Sequence, residues 1–314
     1  MARDSFPIGP FRVRAGSAKE VELPVTKMLT GADVSLPVKV VHGREEGPAV
    51  WVDAAIHGDE VNGVEVVRQI LSGLDPRTMR GTLIAVPVVN VLGFMNGDRY
   101  LPDRRDLNRS FPGSARGSLA SRIAHLFMDE VVAKCEVGID LHTGSDRRSN
   151  LPQVRGDLDD ERTRALAEAF GAPVMLHAKI RDGSLRQAAR DRGATSLLYE
   201  GGENLRFDDY AIDAGVVGVR RVLAALGMTD DPQAAHPPSR ECRQSGWVRA
   251  RRTGILRLEA RLGQEVSDGE RLGSLVDSFG KTLAAVYANR DGVVIGRNEA
   301  PLVNSGDAIV HIAE

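Results

Sequence analysis

The sequence is most constrained at residues 49–60, where an apolar run of strand length stops abruptly at a polar turn. The run Ala-Val-Trp-Val-Asp-Ala-Ala-Ile leads straight into a His-Gly-Asp-Glu turn that contains His57 and Glu60. Apolar residues then recur at helical spacing to about position 74, and a second apolar strand pattern covers 82–89. A strand, a helix and a strand in this order indicate a parallel crossover unit of an α/β sheet. Ligands bind such sheets at the carboxyl ends of the strands, where His57 and Glu60 would lie.

The composition bounds the class of protein and its partners. Of 314 residues, 42% are hydrophobic and 27% charged, and the formal net charge is -2. These values allow a full core and give no reason to expect nucleic acid or an anionic membrane as partner. Two cysteines, Cys135 and Cys242, are too few for a disulfide framework and indicate a reducing compartment, most simply the cytoplasm. The N-terminus lacks a signal-peptide core, and no apolar run has the length of a membrane span.

A change in residue pattern along the chain predicts two domains. Residues 1–230 alternate strand and helix patterns and form the larger α/β domain, with 231–245 as a linker. Residues 246–314 carry short β-prone segments punctuated by glycine, which predicts a small all-β domain of barrel or sandwich type. We expect this second domain to cap the site or to support a homo-oligomer.

A His-x-x-Glu pair alone is a weak signal for a metal site, and the sequence contains three of them. His42 with Glu45 falls in a charged turn, and His311 with Glu314 falls at the chain end in the β domain. Only the pair at His57 and Glu60 ends a buried strand beside the start of a helix. Context therefore favours that pair as metal ligands.

The third ligand is expected from another strand end of the same sheet. His142 in Gly-Ile-Asp-Leu-His-Thr-Gly has this position, and Asp140 points to the same face, where it could orient a ligand. Two His and one Glu with an open fourth position form an attested catalytic zinc set, although cobalt or manganese would also fit. We interpret His125, His177 and His236 as histidines without catalytic partners.

Glu200 is the candidate general base. It ends a third apolar run, Leu-Leu-Tyr, and two glycines follow it. A carboxylate at this position would lie at the same sheet edge as the metal and could accept a proton from an attacking water. The alternative is an acidic residue in a surface turn, which we favour for Glu203.

The long loop 90–117 supplies candidate substrate contacts. Loops of this length in a compact domain are usually functional or disordered, and the apolar residues here favour an ordered functional loop. Arg109 beside Asn108 can bind a substrate carboxylate through its planar fork, and Arg99 can polarise a scissile carbonyl. The alternative for both arginines is a solvated loop cation.

As an ordered set, these motifs resemble the succinylglutamate desuccinylase/aspartoacylase family of zinc carboxypeptidase-like hydrolases. The resemblance rests on His-Gly-Asp-Glu at 57–60, Asp-Leu-Asn-Arg at 106–109, Asp-Leu-His at 140–142 and Glu-Gly-Gly at 200–202. It implies a three-layer α/β/α fold with a mixed sheet, to which such proteins often append a small β domain.

The same resemblance implies roles for individual residues. One zinc ion per chain would bind His57, Glu60 and His142, and Glu200 would act as general base and acid. Arg99 would assist at the carbonyl, and the pair Asn108 and Arg109 would bind a substrate carboxylate. A further substrate-binding arginine of the family has no clear counterpart, and Arg190 is the candidate for it.

Three functions remain open from the sequence. The first is a zinc-dependent hydrolase that removes the acyl group from an N-acyl amino acid, a small-molecule substrate. The second is a zinc carboxypeptidase acting on small peptides. The third is a non-catalytic binding module on the same fold.

Overall fold

The computed structural model describes residues 3–230 and 236–314. In these residues the α-helices are α1 (Asn62–Ser72), α2 (Val91–Asn96), α3 (Leu119–Glu130), α4 (Glu161–Phe170), α5 (Leu185–Asp191) and α6 (Asp209–Ala225). Two short 3-10 helices cover Leu107–Arg109 and Val132–Lys134. The strands of the first 230 residues are β1 (Phe6–Ile8), β2 (Phe11–Val13), β3 (Ser17–Lys27), β4 (Asp33–His42), β5 (Glu45–Ala54), β6 (Arg80–Val86), β7 (Val137–Gly144), β8 (Arg148–Gly156), β9 (Val174–His177) and β10 (Thr195–Glu203). The later strands are β11 (Arg240–Cys242), β12 (Ser245–Arg249), β13 (Gly254–Leu258), β14 (Glu265–Val266), β15 (Arg271–Val276), β16 (Thr282–Tyr287), β17 (Gly292–Asn298), β18 (Leu302–Val303) and β19 (Ala308–Ala313).

One mixed sheet organises the molecule. Its main path runs β12-β19-β17-β8-β10-β7-β5-β6-β4-β3, with β9, β11 and β14 attached at its sides. The central strands β6, β5, β7 and β10 are parallel, as the crossover pattern around residues 49–60 predicts. On either side of them, β4 and β8 run antiparallel. The carboxyl ends of β5, β7 and β10 therefore meet at one edge.

Alternating side chains of the central strands form two cores on opposite faces of the sheet. On β5, Val50 and Val52 face one core, together with α1, α4 and α6. Trp51 faces the other core, which contains the buried sides of α3 and α5. Period-two burial on a strand sandwiched by helices produces this three-layer arrangement, so the predicted α/β/α class is confirmed.

The C-terminal β region joins the same sheet. Strand β17 pairs antiparallel with β8, with Gly296 opposite Asn150, and β12 and β19 extend the sheet further. The separate four-stranded sheet β16-β15-β13-β18 packs against β12, β17 and β19 over a shared apolar core. This all-β region agrees with the sequence interpretation. Of the predicted linker, residues 231–235 lie outside the described residues, and Arg240–Cys242 forms β11 beside β9. The domain division remains a prediction.

Within residues 3–230 and 236–314, none of the helices combines the length and the apolar character that crossing a membrane requires. Cys135 and Cys242 are both free thiols.

Candidate active site

A turn at the end of β5 positions His57 and Glu60. The backbone N–H of Glu60 donates to the His57 carbonyl at 3.1 Å, and α1 begins two residues later. A Cβ on Gly58 would lie 2.1 Å from the backbone of Gly93, so glycine allows α2 to pack directly against this turn. The residue with a positive φ is Ala55, at 49°, rather than Gly58. Close approach, rather than a sharp backbone turn, explains Gly58.

His57, Glu60 and His142 come together at the carboxyl ends of β5 and β7. Nδ1 of His57 lies 2.8 Å from Oε1 of Glu60, and Nδ1 of His142 lies 2.8 Å from Oε2. All three side chains are at most 5% exposed. One ligand atom from each lies within 4.8 Å of the others, which is the spacing of a mononuclear metal site. The structure thus brings together the three predicted ligands, two from the turn at 57–60 and one from β7.

The outer nitrogen of each imidazole faces a carboxylate. Nε2 of His57 lies 3.2 Å from Asp106, and Nε2 of His142 lies 2.8 Å from Asp140. Metal-ligating histidines usually donate their second ring N–H to such a group, which fixes the tautomer and the ring orientation. The two Nδ1 atoms are then directed at one point, so the donor set fits a divalent cation such as zinc.

The charges of this cluster reinforce one another. Burial opposes ionisation of Glu60, but the two imidazoles hold the pKa of its carboxyl well below the usual value. Burial also opposes protonation of both histidines, yet Glu60 with Asp106 raises the pKa of His57. Asp140 and Glu60 raise that of His142 well above its usual value. A metal ion needs neutral imidazoles as ligands, so metal binding competes with their protonation.

The predicted loop residues lie around the same cluster. Arg99 contacts Glu60 and Asp106, each at 3.2 Å. Asn108 is buried, and its Oδ1 accepts from the backbone N–H of Leu185 at 2.9 Å. Arg109 donates to the carbonyl of Asn108, and both residues line the cavity. Two short helical elements order the loop, and the Gly- and Pro-rich composition did not predict them. They are α2, which is capped by Asn90, and the 3-10 turn at Leu107–Arg109.

Glu200 lies beside His142 across the ladder between β10 and β7. The two residues are paired in register, and neighbouring strands are about 4.8 Å apart. Asn150 donates to Oε2 of Glu200, and Arg155 lies 3.4 Å from Oε1. Gly202, with φ of 74°, then turns the chain away from the edge. The carboxylate lines the same cavity as the three ligands.

This cavity has a volume of about 590 Å³ and is strongly cationic. In the described part of the chain, its carboxylates are Glu60 and Asp140, which both contact His142, and Glu200, which contacts Arg155. Its cationic side chains are Arg99, Arg109, Arg148, Arg155, Lys179, Arg181 and Arg186. The excess of positive charge suits an anionic ligand.

Arg186 is a cavity residue that the sequence interpretation missed. Its Nη2 donates to the Lys179 carbonyl at 3.0 Å, while its Nη1 is buried without a hydrogen-bond partner among the described residues. Burial, together with nearby Arg155, lowers the pKa of Arg186 to about 10. A half-buried guanidinium with an unpaired buried donor atom is suited to a carboxylate ligand. Arg190, the sequence candidate, instead lines a different depression with Asp157 and Asp159.

The C-terminal region supplies one wall of the cavity, which was also missed. Trp247 on β12 stacks on His311 of β19, with ring centroids 4.5 Å apart and an interplanar angle of 11°. The guanidinium of Arg148 lies over the Trp247 ring at 5.5 Å. Both rings line the cavity. The C-terminal region, which was expected to cap the site, therefore contributes two stacked rings to one side of the cavity.

The remaining histidines lie apart from the three-ligand cluster. His42 is engaged by the Thr82 hydroxyl and the Asp4 carbonyl, which agrees with its exclusion. His125 pairs with Asp129 on α3, and His236 contacts the Pro237 carbonyl. His177 lines the cavity beside that cluster.

Two carboxylates, on Asp157 and Asp159, lie 3.9 and 4.0 Å from the His177 ring. Asp159 is exposed and paired with Arg243, and the His177 Nδ1 accepts from a backbone N–H. These partners give the group a structural explanation.

Sequence comparison places the chain among amide-hydrolysing proteins. The family model described as "Succinylglutamate desuccinylase/Aspartoacylase catalytic domain" matches residues 46–226. An N-alpha-acetyl-L-2,4-diaminobutyric acid deacetylase of Halomonas elongata is 33% identical over 300 residues, which cover 90% of this chain and 86% of that protein.

Solved structures confirm the fold. The succinylglutamate desuccinylase/aspartoacylase of Rhodobacter sphaeroides has 27% identity and a TM-score of 0.84, covering 95% of both chains. The product-bound ectoine utilization protein of Ruegeria pomeroyi has 24% identity and a TM-score of 0.86, covering 99% of this chain and 98% of that one. The family match over more than half of the sequence, the curated relative and these folds agree: this chain belongs to the succinylglutamate desuccinylase/aspartoacylase family.

Proposed function

We propose that this chain is a zinc-dependent hydrolase that cleaves the amide bond of an N-acyl amino acid. One zinc ion per chain would be held by His57, Glu60 and His142. The observation that carries the proposal is the convergence of two Nδ1 atoms on one buried carboxylate, with a carboxylate behind each imidazole. Membership of a family with a curated deacetylase supports amide hydrolysis as the reaction.

A bound zinc ion supplies Lewis acidity and lowers the pKa of water at the open position. Glu200 accepts a proton from the water that attacks the acyl carbonyl carbon. Arg99, on the opposite side of the ligand cluster from β10, donates to the carbonyl oxygen as negative charge develops on it. Glu200 then returns the proton to the leaving nitrogen, so the products are a carboxylic acid and the amine of the amino acid.

The cationic side of the cavity would bind the substrate's carboxylate. Arg186 offers an unused buried donor, and Asn108 fixes the start of α5 next to it through Leu185. Arg109 adds a second guanidinium from the loop. An arginine fork recognises a carboxylate in a fixed orientation, so these residues would place the amide at the metal.

Two alternatives are weaker. A carboxypeptidase must admit a peptide, and the stacked rings of Trp247 and His311 line one side of this cavity of about 590 Å³, which favours a substrate of the size of an N-acyl amino acid. A binding module without catalysis would not require a carboxylate at Glu200 beside the ligand cluster. A cytoplasmic location and a homo-oligomer remain predictions.

The test uses zinc-loaded protein and a panel of N-acetyl and N-succinyl amino acids with acidic, neutral and amine side chains, alongside dipeptides. We expect hydrolysis of an N-acyl amino acid in preference to dipeptides. Glu200→Gln should retain zinc and lose roughly 100- to 10,000-fold in kcat, the usual contribution of a general base. Glu203→Gln is the matched control. Glu203 lies on the same strand as Glu200, and its carboxylate pairs with Arg206.

Wild-type turnover in the Glu200→Gln variant would refute the assignment of the base. Zinc-loaded protein without activity on the whole panel would favour the binding module, and preference for dipeptides would favour the carboxypeptidase.

A further inference from the structure

We propose that Asn150 and Arg155, both on β8, are positioning residues that hold the Glu200 carboxylate in its reactive orientation. The inference rests on the proposed role of Glu200 as the base. It assigns a function in the reaction to a strand that carries no metal ligand.

Each oxygen of the carboxylate has its own partner from β8. The Nδ2 group of Asn150 donates to Oε2, and Nη1 of Arg155 lies 3.4 Å from Oε1. Glu200 lies on β10 directly before two glycines, and its side chain has three rotatable bonds to be fixed. A carboxylate has about four lone-pair sites, so two partners can orient the group and still leave a site for a proton of water.

A bulge in β8 makes this two-point contact feasible. The register changes from Glu200 opposite Gln153 to Gly202 opposite Asn150, so β8 contains one extra residue there. Positions five apart on a regular strand point to opposite faces, whereas one inserted residue returns Asn150 to the face of Arg155. The insertion contains Pro152, a residue that sheets tolerate at bulges.

The two partners are themselves held by the C-terminal region. Nε of Arg155 donates to Oε1 of Gln153 at 3.2 Å, and the fully buried Gln153 donates to the Ile295 carbonyl on β17 at 3.1 Å. On the other side, a Cβ on Gly296 would lie 2.9 Å from Oδ1 of Asn150. The β region therefore supports the groups that orient the base, in addition to walling the cavity.

Orientation of a base affects turnover more than binding. A misplacement of about 1 Å in a reacting group can cost about 100-fold in rate. We therefore expect Asn150→Ala and Arg155→Gln each to lower kcat about 10- to 100-fold, with KM within about twofold of wild type and the zinc content unchanged. Arg155→Lys, which retains a cation, should recover part of the loss. Asn150→Asp should be worse than Asn150→Ala because it places a second carboxylate against Glu200.

Gly296→Ala tests the contribution of the β region. The Cβ of the new alanine on β17 would press on the Asn150 side chain. We therefore expect kcat to fall although no charged residue of the cavity is changed. Asn298→Ala is the matched control, because Asn298 lies on the same ladder between β17 and β8 and its side chain accepts from the backbone N–H of Ala300, two residues on. It should leave kcat unchanged.

A second experiment separates this inference from the proposed function. In the Glu200→Gln background, Asn150→Ala and Arg155→Gln should cost little more, because the group that they position is already lost. Crystal structures of the two single variants should show the Glu200 carboxylate rotated or in several rotamers.

If Glu200→Gln is inactive while both β8 variants keep wild-type kcat, the inference is overturned and the proposed function stands. A rise in KM with unchanged kcat would also overturn it, because the residues would then bind substrate. A fully active Glu200→Gln variant would instead remove the proposed function.

Discussion

Oδ1 of Asp140 lies 2.8 Å from Nε2 of His142, on the side of the imidazole opposite to Glu60. The two residues are two positions apart on β7, so their side chains share one face of the sheet. At this distance the negative carboxylate favours a proton on Nε2, which would leave Nδ1 for a metal, although neither Nε2 nor the Asp140 oxygens make a hydrogen bond of standard geometry among the described residues.

Asp140→Asn should therefore weaken metal binding. Loss of such a partner typically lowers metal affinity about 10- to 100-fold, because the ligand's tautomer and orientation are no longer fixed. Competition with a chelator of known affinity measures the change. Asp159→Asn, in the exposed group beside His177, is the control and should leave the affinity unaltered. Equal zinc affinity in the Asp140→Asn variant and wild type would disprove the role of this contact.

Arg186 is expected to determine substrate affinity. Removing a charged hydrogen-bond donor costs about 1.5–3 kcal/mol, which corresponds to about 10- to 150-fold. Arg186→Gln should raise KM by that amount for a carboxylate-bearing substrate, while Arg190→Gln, outside the cavity, should not. Steady-state kinetics on the best N-acyl amino acid decide the matter. An unchanged KM would place the substrate carboxylate elsewhere.

His311 should make the protein less stable in mild acid. Burial, with Arg155 and Arg290 nearby, lowers the pKa of His311 to about 3. In the unfolded chain the pKa of a histidine is about 6.5. Below pH 6.5 the unfolded state therefore binds the proton more readily, and stability falls until the pH reaches about 3. By linkage the loss between pH 7 and 5 is about 2 kcal/mol.

His311→Phe retains an aromatic ring against Trp247 but removes the titration. Urea unfolding at pH 7 and pH 5 should show a smaller loss for this variant than for wild type. Identical losses in the two proteins would contradict the assignment.

Gly138 on β7 is required by Trp51 on β5, its partner in register. A Cβ at position 138 would lie 1.9 Å from Cζ2 of the indole. Gly138→Ala should therefore destabilise the protein by about 1–3 kcal/mol through overpacking. Because Trp51→Phe vacates part of that space, the double variant should lose less than the sum of the single variants. Chemical denaturation measures all four proteins, and additive losses would show that the two side chains do not conflict.

The sequence predicts the fold and the candidate metal cluster because both depend on local patterns. Strand β5 combines a buried apolar run with a polar turn, and β7 repeats that pattern before His142. Parallel strands place such ends at one edge, so ligands 82 positions apart, Glu60 and His142, can be paired without coordinates.

The parts that the sequence interpretation missed depend on long-range geometry. Strand β8 contains Pro152, which argues against a strand in the middle of a sheet, and the bulge that tolerates it leaves no sequence signal. Arg186 was missed because α5 is brought to the cavity by long-range contacts, such as that of Asn108 with Leu185. The wall of Trp247 and His311 requires the β region to join the main sheet through β17, and that pairing spans about half of the chain.

The most direct test of the central claim is anomalous diffraction at the zinc edge from crystals of zinc-loaded protein. The account predicts one peak per chain, about 2.0–2.2 Å from Nδ1 of His57, Nδ1 of His142 and a carboxylate oxygen of Glu60. Absence of density at that point, or a zinc ion bound elsewhere with either imidazole turned away, would contradict it.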